Sequence, residues 1–415
     1  MDAPGPIRYY GGSMKRNTVL IVLVALAAIV LFLDPFQFFN RKSDVLKRPT
    51  VAPTTLTPLA RFAQSSWRSP EDYIIASFAS HDIVMLGEFF KIKENVRLVG
   101  DLIPRLYAAG VRSLGIEYAL SDSQAAIDAL TTADAWDESK ARAITFDWLV
   151  TWGYQEYIDL YRAAWQVNRD RPRGAPPFRI VGLNVRQNWG YLKSARDIND
   201  PKIVAQIFAN GVPDQHMAET IMREFVQKGQ KALVYASTQH VFTRYRNTEY
   251  ARNAASMKLP ETRRAGNIVY DAIGSRAFSV SLHAPWPDGR AGSGLTWAAG
   301  GAIDAMIDSL PADKKSGGWD TAGTPLGALS VKGSSYALGG NALTLGDIFD
   351  GYVTQGPIAQ YTVVTAIKNF VRPADAERAA KNFPGVKQAP PTVEEINKSI
   401  QDDVQAMGKT LSQFK

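Results

Sequence analysis

Two glutamates and a histidine stand where an acid–base or metal site could form. Glu88 closes the run HDIVMLGE, Glu117 closes VRSLGIE, and His240 follows KALVYAS by three residues. Each run is apolar and ends on a polar group, as a buried parallel strand does at its carboxyl end. Asn184 closes a similar run, FRIVGLN, and His283 directly follows AFSVSL. In open α/β sheets ligands bind outside the carboxyl ends of the strands. Two carboxylates facing a histidine could hold a divalent cation, with Glu88, Glu117 and His240 as ligands. They could equally activate water, one group as base and another as orienter. Structural roles compete with these: Glu88 could cap a helix, Glu117 could pair with Arg112, and His240 could be a structural histidine beside Arg244.

The rest of the inventory narrows the chemistry. There is no cysteine, so thiolate nucleophiles, disulfides and cysteine-bound metals are excluded. Only four histidines occur, His81, His216, His240 and His283, so any metal site leans on carboxylates. His81 opens the first strand and belongs to its far end. His216, in QHMAETIMREFVQKG, reads as a solvated helix residue.

The elements that must position these groups alternate. Residues 94–109 carry apolar side chains at helical spacing between the first two strands and close at Gly110. Residues 81–117 therefore form one β-α-β unit. The further strands, separated by helices, predict an α/β fold with a mostly parallel central sheet covered on both faces. The main domain is expected over 71–371. A helical insert over 121–170 is rich in Trp and Tyr, and a Gly/Pro-rich excursion covers 284–345. Trp152, with Trp148, Tyr154 and Tyr157, could stack on a planar or amphipathic ligand or could be core. Arg276 could neutralise an acidic ligand or pair with a surface acid. A C-terminal helix and linker are expected over 372–415, amphipathic from Val393 to Lys409.

The N-terminal part reads differently. Residues 18–33 carry no charge and no helix breaker, and with the aromatic cluster up to residue 39 the stretch reaches the roughly 20 residues that cross a bilayer core. A cleavable signal peptide is the alternative, but Asp34-Pro35 and bulky aromatics follow where small residues are wanted. The expectation is a short tail (1–17), an uncleaved transmembrane anchor (18–39), a Pro/Thr-rich extended tether (40–70) and a main domain in the periplasm or otherwise outside the cytoplasm. The chain would then be a single-pass membrane protein. The formal net charge of +7 belongs largely to this end. Residues 1–48 hold seven basic and three acidic side chains, which leaves 40 basic against 37 acidic elsewhere. No basic stripe remains to suggest a nucleic-acid partner.

The stretch VMLGEFFKIKEN, followed by LGIE and later LVYASTQH, resembles the superfamily that joins erythromycin esterases, ChaN-like haem-uptake lipoproteins and Tiki-type proteases. Gly87 and Glu88 match its first element, Glu94 and Asn95 its downstream Glu-Asn, Glu117 its second acid and His240 its late histidine. Arg264 to Leu282, with Gly266, Tyr270 and Arg276, and the DIFDGY stretch at 347–352 look like its later segments. The resemblance covers roughly residues 73–370. It implies a hydrolase of an ester or amide bond, with or without a metal, in which Glu88 and Glu117 position water and His240 is ligand or acid–base partner. Trp152, Asn184, Arg276 and His283 would contact the substrate. One departure matters: Phe90 stands where the family places its first histidine, and phenylalanine neither ligates a metal nor carries a proton. That departure keeps two alternatives open, a non-catalytic protein that binds haem or another planar ligand, and an interaction module on a decayed enzyme fold.

Overall fold

The computed structural model describes residues 45–194, 196–289, 294–337, 342–384 and 390–414. Among the described residues nine strands run in chain order: β1 (Ile83–Glu88), β2 (Ser113–Leu120), β3 (Arg179–Asn184), β4 (Ala232–Ser237), β5 (Ala277–Leu282), β6 (Trp286–Pro287), β7 (Leu295–Thr296), β8 (Gly317–Asp320) and β9 (Gly351–Thr354). Seven of them form one sheet in the order β3-β2-β4-β1-β5-β9-β8. All neighbours in it are parallel except β8, which runs antiparallel to β9. The mostly parallel, helix-flanked sheet expected from the alternation is present. Strands β8 and β9, four residues each, lie beyond the five strands that hydropathy marked.

β1 sits in the middle of the sheet, paired with β4 on one side and β5 on the other. Its pleat sends Val84 and Leu86 into one apolar core and Ile83 and Met85 into the other. The first core contains the helices Lys93–Ala108 and Gln155–Asp170. The second contains Pro213–Ile221, Ala265–Ile273 and Ala302–Ser309. Being buried on both faces explains why these strands read as continuous apolar runs.

The membrane expectation is corrected here. Among the described residues no helix is long and apolar enough to cross a membrane. Residues 18–39, on which the transmembrane anchor was placed, lie outside the described residues. The single-pass topology, the membrane as partner and the periplasmic location are withdrawn with it. The stretch 40–70, read as an extended tether, contains the helix Pro53–Ser65. Pro53 occupies the first helical position, where its missing N–H is harmless. Leu59 and Ala63, one turn apart, are both buried, and the Trp319 indole N–H donates to the Ala63 carbonyl at 2.9 Å. The C-terminal segment is also integral: Val393–Ser412 is one helix that buries Ile396, Ile400, Met407 and Leu411 along a single stripe.

Candidate acid–base site

The carboxyl ends of β1, β2 and β4 carry two separate buried networks. Leu86 and Glu88 on β1, Ile116 and Tyr118 on β2, and Leu233 and Tyr235 on β4 follow the pleat onto one face. Glu88 therefore meets phenols. Tyr157, from the helix Gln155–Asp170, donates to Glu88 Oε1 at 2.7 Å; Tyr118 donates to the same oxygen and Tyr235 to Oε2. The carboxyl is 1% exposed. Burial pushes it up to about 8, against the pull of the three phenol hydroxyls and with a further push from the charge of Glu117. At neutral pH Glu88 is largely a neutral acid.

Glu117, one residue before Tyr118, points to the opposite face. There Ser237 N–H donates to its Oε2 at 2.7 Å, and His240 Nε2 lies 3.5 Å from its Oε1. The other ring nitrogen of His240 is 2.6 Å from Asp214 Oδ1. Asp214 opens the helix Pro213–Ile221 and also takes the Ala265 N–H at 2.8 Å, Arg264 Nη1 at 3.1 Å and the Tyr250 hydroxyl at 3.1 Å. Its carboxylate thus ties the amino ends of two helices together, where negative charge is favoured. Burial works against the Asp214 charge, but His240 and Arg264 overcome it and hold the group well below the usual carboxylate range. Burial likewise works against a charged His240. The charges of Asp214 and Glu117 outweigh it and raise the imidazole to about 9, so His240 is an imidazolium at neutral pH. A close approach places it there: a Cβ on Gly87 would lie 2.6 Å from Val241 Cγ2 and 2.9 Å from Thr238 Cα, so only glycine lets the 238–241 turn pack on β1.

Of the expected convergence, Glu117 and His240 meet and Glu88 does not join them. Residue parity decides this: Glu88 shares a face with Leu86, and Glu117 takes the face opposite Ile116 and Tyr118. The divalent metal expected on Glu88, Glu117 and His240 does not fit these residues. Both oxygens of Glu88 already accept phenol hydroxyls, and both nitrogens of His240 face carboxylates. Among the described residues no group of three or more His, Asp or Glu could hold a metal ion. For the same reason His240 has no lone pair to serve as an axial haem ligand.

The expected substrate contacts fare unevenly. Trp152 is buried, stacked on Tyr118 with centroids 5.4 Å apart and with Lys91 Nζ 5.3 Å from its centroid. No ring face is left for a planar ligand. Phe90 lies edge-on against the same pair, 5.6 Å from Trp152 and 6.4 Å from Tyr118. Asn184 is buried at the end of β3 and accepts the Val185 N–H at 2.9 Å, apart from either network. Arg276 lies at the amino end of β5 and pairs with Asp82 at 3.0 Å; it sits at the far edge of the sheet and cannot reach these residues. His283 follows β5 as expected but forms its own buried cluster, with Nδ1 2.7 Å from the Tyr352 hydroxyl and Nε2 3.4 Å from Asp304. His216 is half-buried against Ser121 Oγ at 2.7 Å rather than solvated, and His81 stays at the amino end, 2.7 Å from the Ser275 carbonyl.

No family model matches the chain, and no curated protein does. Solved structures of similar backbone include a Bacillus cereus protein, 11% identical, with a TM-score of 0.46 over 77% of this chain and 100% of that one. A succinoglycan biosynthesis protein is 10% identical, with a TM-score of 0.49 over 76% and 100%. ChaN of Campylobacter jejuni, described with cofacial haem binding, is 14% identical, with a TM-score of 0.33 over 51% of this chain and 84% of that one. All three TM-scores fall below 0.5 and all three identities below 15%, so these likenesses assign no family.

Sequence reasoning missed Asp214, the partner that fixes His240. Its proline-acid helix start resembles many others, and only the fold brings it beneath β4. It missed Tyr118 and Tyr235 as well, although a signal existed: each stands two residues beyond an apolar side chain of the same face.

Proposed function

We propose that this chain is a metal-independent acid–base catalyst of hydrolytic type, working at the carboxyl ends of β1, β2 and β4. The observation that carries the reading is the Asp214–His240–Glu117 alignment. Asp214 locks Nδ1 at 2.6 Å, so the second imidazole proton points at Glu117 across 3.5 Å. Held between the two carboxylates, His240 is the acid that protonates the leaving group, with Glu117 as the base that receives a proton from water. Phe90 supplies no proton, so His240 takes the whole of that role.

Glu117 and His240 are 1% and 2% exposed, so substrate reaches them through a local opening. Tyr250, on the short helix Thr248–Ser256, closes the Asp214 side by its hydroxyl and by its ring, whose centroid lies 3.3 Å from the Arg264 guanidinium carbon.

The test is turnover of a series of aryl acyl esters by the wild-type chain and by His240→Gln and Glu117→Gln, with near-UV circular dichroism as the folding control. The variants are expected to lose about 10²–10⁴-fold in rate. Wild-type rates equal to buffer, or equal rates in all three proteins, would end this reading.

A further inference from the structure

Lys91 is a lysine in an unusual place. Its backbone has φ +69°, a left-handed conformation that side chains with a Cβ rarely adopt. Its ammonium is buried against the rings of Trp152 and Tyr154, with centroids 5.3 and 5.5 Å away, and is paired with Asp403. Asp403 comes from the C-terminal helix, more than three hundred residues downstream, and its Oδ2 also accepts the Tyr154 hydroxyl. A buried ion pair is a poor source of stability compared with apolar side chains of similar volume. Packing alone therefore does not account for it.

The backbone of the same lysine leads to Glu88. Lys91 N–H donates to the Tyr157 hydroxyl oxygen at 3.2 Å, and Tyr157 donates to Glu88 Oε1 at 2.7 Å. With its oxygen accepting the amide, the phenol directs its single proton to Glu88. The connection Asp403–Lys91–Tyr157–Glu88 is continuous from the C-terminal helix to the end of β1. On its other side the turn is held by Val364 N–H, which donates to the Lys91 carbonyl at 3.1 Å.

We propose that Asp403 is a positioning residue for Glu88: by holding the Lys91 ammonium it holds the left-handed turn whose N–H aims Tyr157 at the carboxyl. The effect on Glu88 stands on geometry alone; its consequence for turnover rests on the acid–base function proposed above.

The experiment uses the full chain. Lys91→Met/Asp403→Leu removes the pair together, leaving no buried charge behind. The infrared carbonyl band of protonated Glu88, assigned by its loss in Glu88→Gln, is followed through a pH titration. The double variant is expected to titrate at least about one pH unit higher than wild type, because the carboxylate loses a donor. A midpoint unchanged in a folded double variant would overturn the proposal. Asp403→Asn, isosteric and able to keep the helix packed, gives a second reading: exchange of the Lys91 amide proton is expected to accelerate at least about tenfold, and an unchanged rate would overturn it equally. If Glu88 shifts while wild type and variants alike hydrolyse nothing, the positioning role stands and the catalytic function falls. If wild type is active, kcat of the double variant is expected to fall with KM held.

Discussion

Glu88→Gln should flatten the pH dependence of stability, and the structure sets the size of the effect. Burial lifts the Glu88 carboxyl from 4.5 to about 8. Between those values the folded chain holds one proton more than the unfolded chain, so stability falls as pH rises. The full contribution is present below pH 4.5 and about 5 kcal/mol of it is gone above pH 8. His240 acts in the same direction. Burial opposes its charge, but Asp214 and Glu117 raise it from 6.5 to about 9, which adds about 3 kcal/mol below pH 6.5 that is lost as pH passes 9. Where the two windows overlap, between about pH 6.5 and 8, two protons are released on unfolding and stability falls by about 3 kcal/mol per pH unit. Glutamine carries no titrating proton and removes one of the two, so the slope should halve. It also presents one acceptor oxygen to three phenols, which costs about 1–3 kcal/mol at pH 6. The variant should therefore be less stable at pH 6, and its deficit should shrink by about 3 kcal/mol by pH 9. Urea unfolding followed by tryptophan fluorescence at half-unit steps from pH 6 to 9 measures both slopes. Parallel curves would mean that Glu88 is ionised throughout and that its cage is an ordinary carboxylate site.

Asp214→Asn leaves the His240 imidazolium and Arg264 buried without their shared carboxylate; the expected loss is about 3–5 kcal/mol, read from the urea midpoint at pH 7. The same variant should bring the His240 titration down toward its ordinary value, visible in the imidazole NMR signals, because its first counter-charge is gone. Tyr235→Phe removes the hydroxyl that donates to Glu88 Oε2; the Glu88 titration should move up, followed by its infrared carbonyl band, and stability should drop by about 1–2 kcal/mol at pH 7. Gly87→Ala places a methyl 2.6 Å from Val241 Cγ2; overpacking of about 1–3 kcal/mol is expected, with displacement of the turn that carries His240 and a matching shift of its NMR signals.

The scaffold and its polar punctuation are legible in the amino-acid sequence. Runs such as VMLGE and LVYAS, buried on both faces, announce parallel strands because nothing in them can face water. The glycine-acid and serine endings mark where those strands emerge. The short strands Gly317–Asp320 and Gly351–Thr354 gave no such signal, since four residues flanked by glycine carry too little hydropathy to stand out. Residues 53–65 misled for a related reason: proline and threonine suggest an extended chain, yet a proline at the first helical position and two buried side chains one turn apart suffice for a helix once there is a surface to bury them.

The sequence by itself determined that Glu88, Glu117 and His240 stand at strand ends. It did not determine that they form one site, because that depends on which face each side chain takes and on what chain segment waits there. Only the tertiary structure brought Asp214 under His240 and Asp403 onto Lys91, pairs 26 and 312 residues apart. It also sealed both networks from water; that sealing turns an ordinary glutamate into a neutral acid, while the charges of Asp214 and Glu117, working against burial, make an ordinary histidine a stable cation. The physical reason is that protonation state follows burial and partner charge, and both are properties of what the fold places nearby rather than of the residue itself.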